Sequence, residues 1–116
     1  MLIRVDPASP IPLFDQLAAS VRAEVVRGAV AAGERLPSAR ELAGSLELNV
    51  HTVLHAYQQL RDEGLIELRR GRGAILTGSA SSLTDLTKHV DVLVAEARRL
   101  GVAPATLTAM ITKAYS

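Results

Sequence analysis

The sequence predicts a mainly α (α+β) chain, in which a helix-turn-helix closed by a small β-hairpin is followed by a short pair of helices. Three observations predict it. Two helical segments, the second opening at Asn49, are separated by about three residues. An Arg- and Gly-rich hairpin pattern follows directly. Beyond a Gly/Ser run, apolar residues resume at helical spacing. These observations divide the chain into a domain at 1–77, a linker at 78–82 and a two-helix segment at 83–116.

Each element has its own reason. Leu2 to Val5 fits a short edge strand, and Asp6, Pro7, Ser9, Pro10 and Pro12 then punctuate the chain. Pro12 suits the first turn of a helix, and Leu13, Leu17, Val21 and Val25 recur every four residues behind it. That pattern predicts an amphipathic helix from about 12 to 27, ended by Gly28. Ser38 followed three residues later by Glu41 is a capping box, so a second helix starts there and runs to about Leu46, burying Leu42, Ala43 and Leu46. Asn49 is a good N-cap for a third helix, whose Val53, Ala56, Tyr57 and Leu60 form one face and which Gly64 stops. Leu65 to Arg69 and Ala74 to Thr77 read as strands around the turn residues Arg70-Gly71-Arg72-Gly73. A basic hairpin directly after a helix-turn-helix has the form of a wing, so 1–77 reads as a winged helix-turn-helix domain.

Gly78 to Ser82 marks a break in composition. After it, Leu83, Leu86, Val90, Leu93, Ala97 and Leu100 step by alternate threes and fours, a heptad-like stripe too short for an independent coiled coil. Gly101 ends this helix and Pro104 opens a shorter one carrying Leu107, Met110 and Ile111. Neither helix can bury its stripe alone. The two must pack on each other, on the first domain or on a second subunit.

Composition excludes several classes. Of 116 residues, 48% are hydrophobic and 22% charged, a globular balance. Cysteine is absent, which rules out disulfides and thiolate metal sites. No apolar run has membrane-spanning length, and no signal-peptide pattern opens the chain. Three aromatic residues, Phe14, Tyr57 and Tyr115, are too few for a base-stacking platform. The net charge is only +1, yet 11 of the 13 basic residues are Arg, whose planar fork suits phosphates and guanine edges. Segment 34–73 holds Arg35, Arg40, Arg61, Arg69, Arg70 and Arg72 against as many acids.

The candidate chemistry is that of binding. His51 and His55 stand four apart, as in a zincin-like pair, but Thr52 occupies the place of the general-base Glu and no third ligand can be nominated. No nucleophile elbow, phosphate loop or dinucleotide fingerprint is present, which argues against an enzyme and against any cofactor or metal. By contrast, Asn49, Val50, His51 and Thr52 begin the second helix of the helix-turn-helix, the end that enters a major groove in this architecture. Asn49, His51 and Thr52 can bond base edges or phosphates, and Val50 can meet a thymine methyl. Arg40 begins the preceding helix, and Arg69, Arg70 and Arg72 surround Gly71 on the hairpin, where they can reach a phosphate backbone or minor groove.

Four blocks, taken in order, resemble the winged helix of GntR-family bacterial transcription regulators. They are Ile11-Pro12-Leu13-Phe14-Asp15-Gln16-Leu17, then Gly33-Glu34-Arg35-Leu36-Pro37-Ser38-Ala39-Arg40-Glu41-Leu42-Ala43, then Thr52 to Leu60 with Glu63-Gly64-Leu65-Ile66, and finally Arg70-Gly71-Arg72-Gly73. The short remainder after Thr77 leaves no room for a large effector domain and resembles the YtrA-like subfamily, whose tail serves dimerisation. The resemblance implies a cytoplasmic regulator, more a repressor than an activator, that binds a palindromic double-stranded DNA operator as a homodimer. It places DNA contacts on Arg40, Asn49, His51, Thr52, Arg70, Gly71 and Arg72, and dimerisation on Leu83, Leu86, Val90, Leu93, Ala97 and Leu100. Val50 stands where the family commonly has Arg, and Glu47-Leu48 replaces the usual Gly-Val of the turn. The residues name no small-molecule effector. The competing reading is a winged-helix scaffold that binds protein instead of DNA, supported by Val50 and the near-neutral charge.

Overall fold

The structure, a computed structural model, describes residues 2–116, without the side chains of Ala80 and Ser81. Seven elements follow in order: α1 (Leu13–Val26), α2 (Ala39–Leu46), α3 (Val50–Asp62), β1 (Ile66–Arg69), β2 (Gly73–Leu76), α4 (Ser79–Arg99) and α5 (Pro104–Ala114). Two units result, one ending at Thr84 and one comprising Asp85–Ser116. Among the described residues no helix is long and apolar enough to cross a membrane.

In the first unit, α3 is the central element, packed by α1, α2 and β1. Its Val53, Ala56, Tyr57 and Leu60 are buried, and they meet Leu17, Ala18, Val21 and Val25 of α1 and Leu42 and Ala43 of α2 in one core. The predicted caps form. Ser38 Oγ accepts from the Glu41 N–H at 3.1 Å, and Asn49 Oδ1 accepts from the His51 N–H at 2.8 Å. Tyr57 Oη donates to the Pro37 carbonyl at 2.6 Å, tying α3 to the segment that leads into α2. Burial, with the charge of Glu41 added, raises the pKa of that phenol above its ordinary value, so it remains a donor. Arg22 and Glu63 join α1 to the end of α3 through a forked ion pair, with Nε to Oε2 at 3.0 Å.

The hairpin pairs Ile66 with Leu76 and Arg69 with Gly73, which buries Ile66, Ala74 and Leu76 and leaves Glu67 and Arg69 exposed. The far edge of β2 is also covered. Gly33 N–H donates to Leu76 O at 2.8 Å, Leu76 N–H to Glu34 O at 2.9 Å and Leu36 N–H to Ala74 O at 2.8 Å, with Arg35 bridged to Ile75. The linker before α2 thus supplies a third, irregular lane to the sheet.

Two expectations need correction. Among the described residues Leu2–Val5 form no strand and pair with none. Instead, α1 presents Gln16, Ser20 and Glu24 at intervals of four, and these accept the backbone N–H groups of Asp6 (2.7 Å), Arg4 (3.1 Å) and Leu2. Between them Ile3 and Val5 pack on the core. Burial raises the pKa of Glu24, but Arg27 and the Leu2 N–H outweigh it and hold the carboxyl below its usual range. Second, α4 begins at Ser79, so most of the 78–82 segment is helical and not an irregular linker. Serine suits the start of a helix as well as a linker, and Leu83 packs on the core of the first unit, which anchors that turn.

In the second unit, α4 ends at a corner where Val102 N–H donates to Ala97 O at 2.9 Å and Gly101 adopts φ +72°. Ala97 is buried there, and Val94, Val102 and Leu107 are half-buried.

Candidate nucleic-acid interface

The two ends of the helix-turn-helix put the candidate residues on the surface in different ways. Arg40, in the first turn of α2, is exposed. At the start of α3, His51 is exposed, whereas Val50 and Thr52 are half-buried and Val50 packs against the core. Asn49 is exposed, but its carbonyl oxygen is taken by capping, which leaves the amide NH₂ to act outward. The first turn of α3 carries no acid, so the positive end of its dipole is not offset locally.

On the wing, Arg70, Gly71 and Arg72 form an exposed turn, closed by the Arg72 N–H on Arg69 O at 3.0 Å. Gly71 sits at φ +80°, a conformation that favours glycine, so the exposed turn carries no side chain at that position. Arg69 differs from its neighbours, because its guanidinium is bound to Glu67 (Nε to Oε2 at 2.9 Å).

The ion pairs sort the arginines into two groups. Arg22, Arg27, Arg61, Arg69 and Arg99 lie against acids. Within 34–73, among the described residues, Arg35, Arg40, Arg70 and Arg72 have no such partner, and all four are exposed. Near-zero charge over 34–73 therefore conceals four cations free to meet an anion. Sequence reasoning missed Arg35 as a candidate, because its position depends on the unforeseen lane beside β2. The lane brings its guanidinium against Gly73, where a Cβ would lie 3.7 Å from Arg35 Nε. The free cations thus include one beside the wing as well as those at its tip.

Between α3, the start of α2 and the wing lies an open cleft of about 280 Å³, floored by Leu54, Tyr57, Leu68 and Ala74 and edged by Ser38 and Arg70. His55 is separated in role from His51: its ring stacks on Phe14 of α1, with centroids 3.9 Å apart and planes at 16°. Among the described residues no group of three His, Cys, Asp or Glu is placed to hold a metal ion.

The predicted dimerisation stripe is divided. Leu83 packs on the core of the first unit and Ala97 is buried, while Leu86, Val90, Leu93 and Leu100 are exposed, joined by Met110 and Ile111 of α5.

Three α-helices with a two-stranded wing, and unpaired arginines at the helix-turn-helix and wing, define a winged-helix DNA-binding protein. The family model for "Bacterial regulatory proteins, gntR family" matches residues 13–76. The HTH-type transcriptional repressor YtrA of Bacillus subtilis is 33% identical over 107 residues, covering 87% of this chain and 82% of that protein. A GntR family transcriptional regulator from Listeria monocytogenes superposes with TM-score 0.64 at 31% identity, over 94% of this chain and 98% of that one. YtrA from Sulfolobus acidocaldarius, a GntR-family transcription factor, does so with TM-score 0.63 at 30% identity, over 79% and 99%. The chain belongs to the GntR family and is YtrA-like; it is a DNA-binding transcription regulator, not an enzyme.

Proposed function

We propose that the chain acts as a homodimeric repressor of a palindromic operator, with the N-terminal end of α3 from each subunit in a major groove and each wing on the adjacent backbone. The observation that carries this reading is the set of unpaired, exposed arginines at α2 and the wing, when five others are tied to acids. Arg40, Arg70 and Arg72 hold phosphates, and the bare Gly71 tip allows close approach to the minor groove. His51 and Thr52 address base edges with the Asn49 amide, and the exposed part of Val50 meets a thymine methyl. Arg69 contributes less, because it would first have to leave Glu67.

The second subunit is recruited through Leu86, Val90, Leu93 and Leu100 with Met110 and Ile111, an apolar face that one chain leaves in water. Two-fold pairing sets the half-sites about one helical turn, roughly 34 Å, or a multiple apart. Occupying a promoter in this way blocks it sterically, in keeping with the repressor name of the Bacillus subtilis relative. A cytoplasmic location follows from this role.

Selection of bound sequences from a random duplex pool tests the reading, and a symmetric half-site repeat is the expected product. Arg40→Ala then separates a phosphate role from a base role. The expected result is weaker binding to every duplex, with the salt slope reduced by about one for each phosphate that is no longer neutralised. Unchanged affinity, or a loss confined to one base position, overturns the phosphate role.

A further inference from the structure

The turn between α2 and α3 holds the one non-glycine residue with positive φ among the described residues, Glu47, at φ 57° and ψ 44°. The left-handed conformation is fixed by the backbone: the N–H groups of Glu47 and Leu48 both converge on Ala43 O, the latter at 2.9 Å. Glycine makes the same helix ending without the crowding of a Cβ, so the backbone gives no reason for a side chain here. Nor does the carboxylate contribute to folding: it is exposed and makes no ion pair or hydrogen bond among the described residues. Asp62, Glu63 and Glu67 are bound to Arg61, Arg22 and Arg69, whereas Glu34 and Glu41, exposed and without an ion pair among the described residues, share the freedom of Glu47 but not its left-handed backbone. A strained position that keeps a charge without structural return points to a role at the surface it faces. Glu47 lies two residues before the cap Asn49, beside the end of α3 that the proposed function places in the groove.

We propose that Glu47 is an affinity-limiting residue of the DNA face: its carboxylate opposes the phosphates flanking the half-site and keeps sequence-independent binding weak. This rests on the reading that the start of α3 enters the major groove. Specificity is a difference between affinities, and a fixed repulsive charge raises it by lowering the background against which base contacts are read. The unpaired arginines supply attraction to any duplex, and Glu47 offsets part of it where α3 meets the backbone.

The test compares the full chain with Glu47→Gln, Glu47→Gly and Asp91→Asn, an acid in the tail, by anisotropy on a random-sequence duplex over a range of salt. Glu47→Gln retains a side chain in the left-handed position and removes only the charge. Expected is about fivefold tighter binding for both Glu47 variants at low salt, the gain shrinking as salt screens it, with Asp91→Asn unchanged. Glu47→Gly should also unfold about 4 °C higher, which reports the relieved backbone. Equal affinity of Glu47→Gln and the parent overturns the proposal, as does tighter binding by the glycine variant alone, which would assign the gain to the backbone. Weaker binding by Glu47→Gln overturns it too and makes the carboxylate an acceptor for a base amine. If the parent chain binds no duplex, the DNA-binding reading itself falls; if it binds and only the Glu47 variants are silent, that reading stands and this one falls.

Discussion

The two units treat their apolar side chains in opposite ways. Up to Thr84, most large apolar residues converge on α3, with Leu17, Leu36, Val53, Leu60, Ile66 and Leu76 almost wholly covered and Leu2, Ile11 and Leu54 left exposed. From Asp85 onward, Leu86, Val90, Val92, Leu93, Leu100, Met110, Ile111 and Tyr115 are all exposed, and only Ala97 is buried. Helical periodicity is present in both. Periodicity states that a face must be covered; the presence of a third layer decides whether the same chain covers it. The first unit has that layer in its wing, and two helices alone do not.

This contrast can be broken from either side. The largest effect is expected in the first unit, where Leu60→Ala would open a cavity beneath α3 and lower the unfolding free energy by about 3 kcal/mol, measured by chemical denaturation. The oligomeric state should be insensitive to it at concentrations where the variant is folded. Next comes the tail. The double substitution Leu86→Glu and Leu93→Glu should raise the dimer dissociation constant at least about a hundredfold by sedimentation, and remove the concentration dependence of Tm. A tight dimer after that change would show that the exposed stripe is not the interface. A smaller loss is expected from Tyr57→Phe, which takes the donor from the half-buried Pro37 carbonyl, at about 1 kcal/mol. Its denaturation midpoint should fall with the dimer intact, sharpening the separation between core and tail.

The fold was legible where a single residue carries the physics. Ser38, Asn49, Gly64 and Gly101 mark helix ends because capping and left-handed backbone are local requirements, and all four stand where the sequence puts them. What failed to read is ambiguous locally. Alternating Ile3 and Val5 describe an edge strand and a segment laid on a helix equally well; the choice is made by Gln16 and Ser20, many residues away. Serines at 79–82 suit a linker and a helix start alike. The site was half legible. Arg40, His51, Arg70 and Arg72 could be nominated by position, but their freedom from acids depends on pairings such as Arg22 with Glu63, set by packing and not by sequence proximity. For the same reason neither the place of Arg35 beside Gly73 nor the pairing of Arg69 with Glu67 is legible in the sequence.

The segment laid along α1 has one further consequence. It is held through its backbone, by α1 side chains that reach every second amide. Hydrogen exchange along it should therefore alternate, slow at Arg4 and Asp6 and fast at Ile3 and Val5. Because the grip falls on main-chain atoms, the identity of the outward side chain at Arg4 is immaterial to it. Proline at that position removes the donor, and is the replacement that releases the segment.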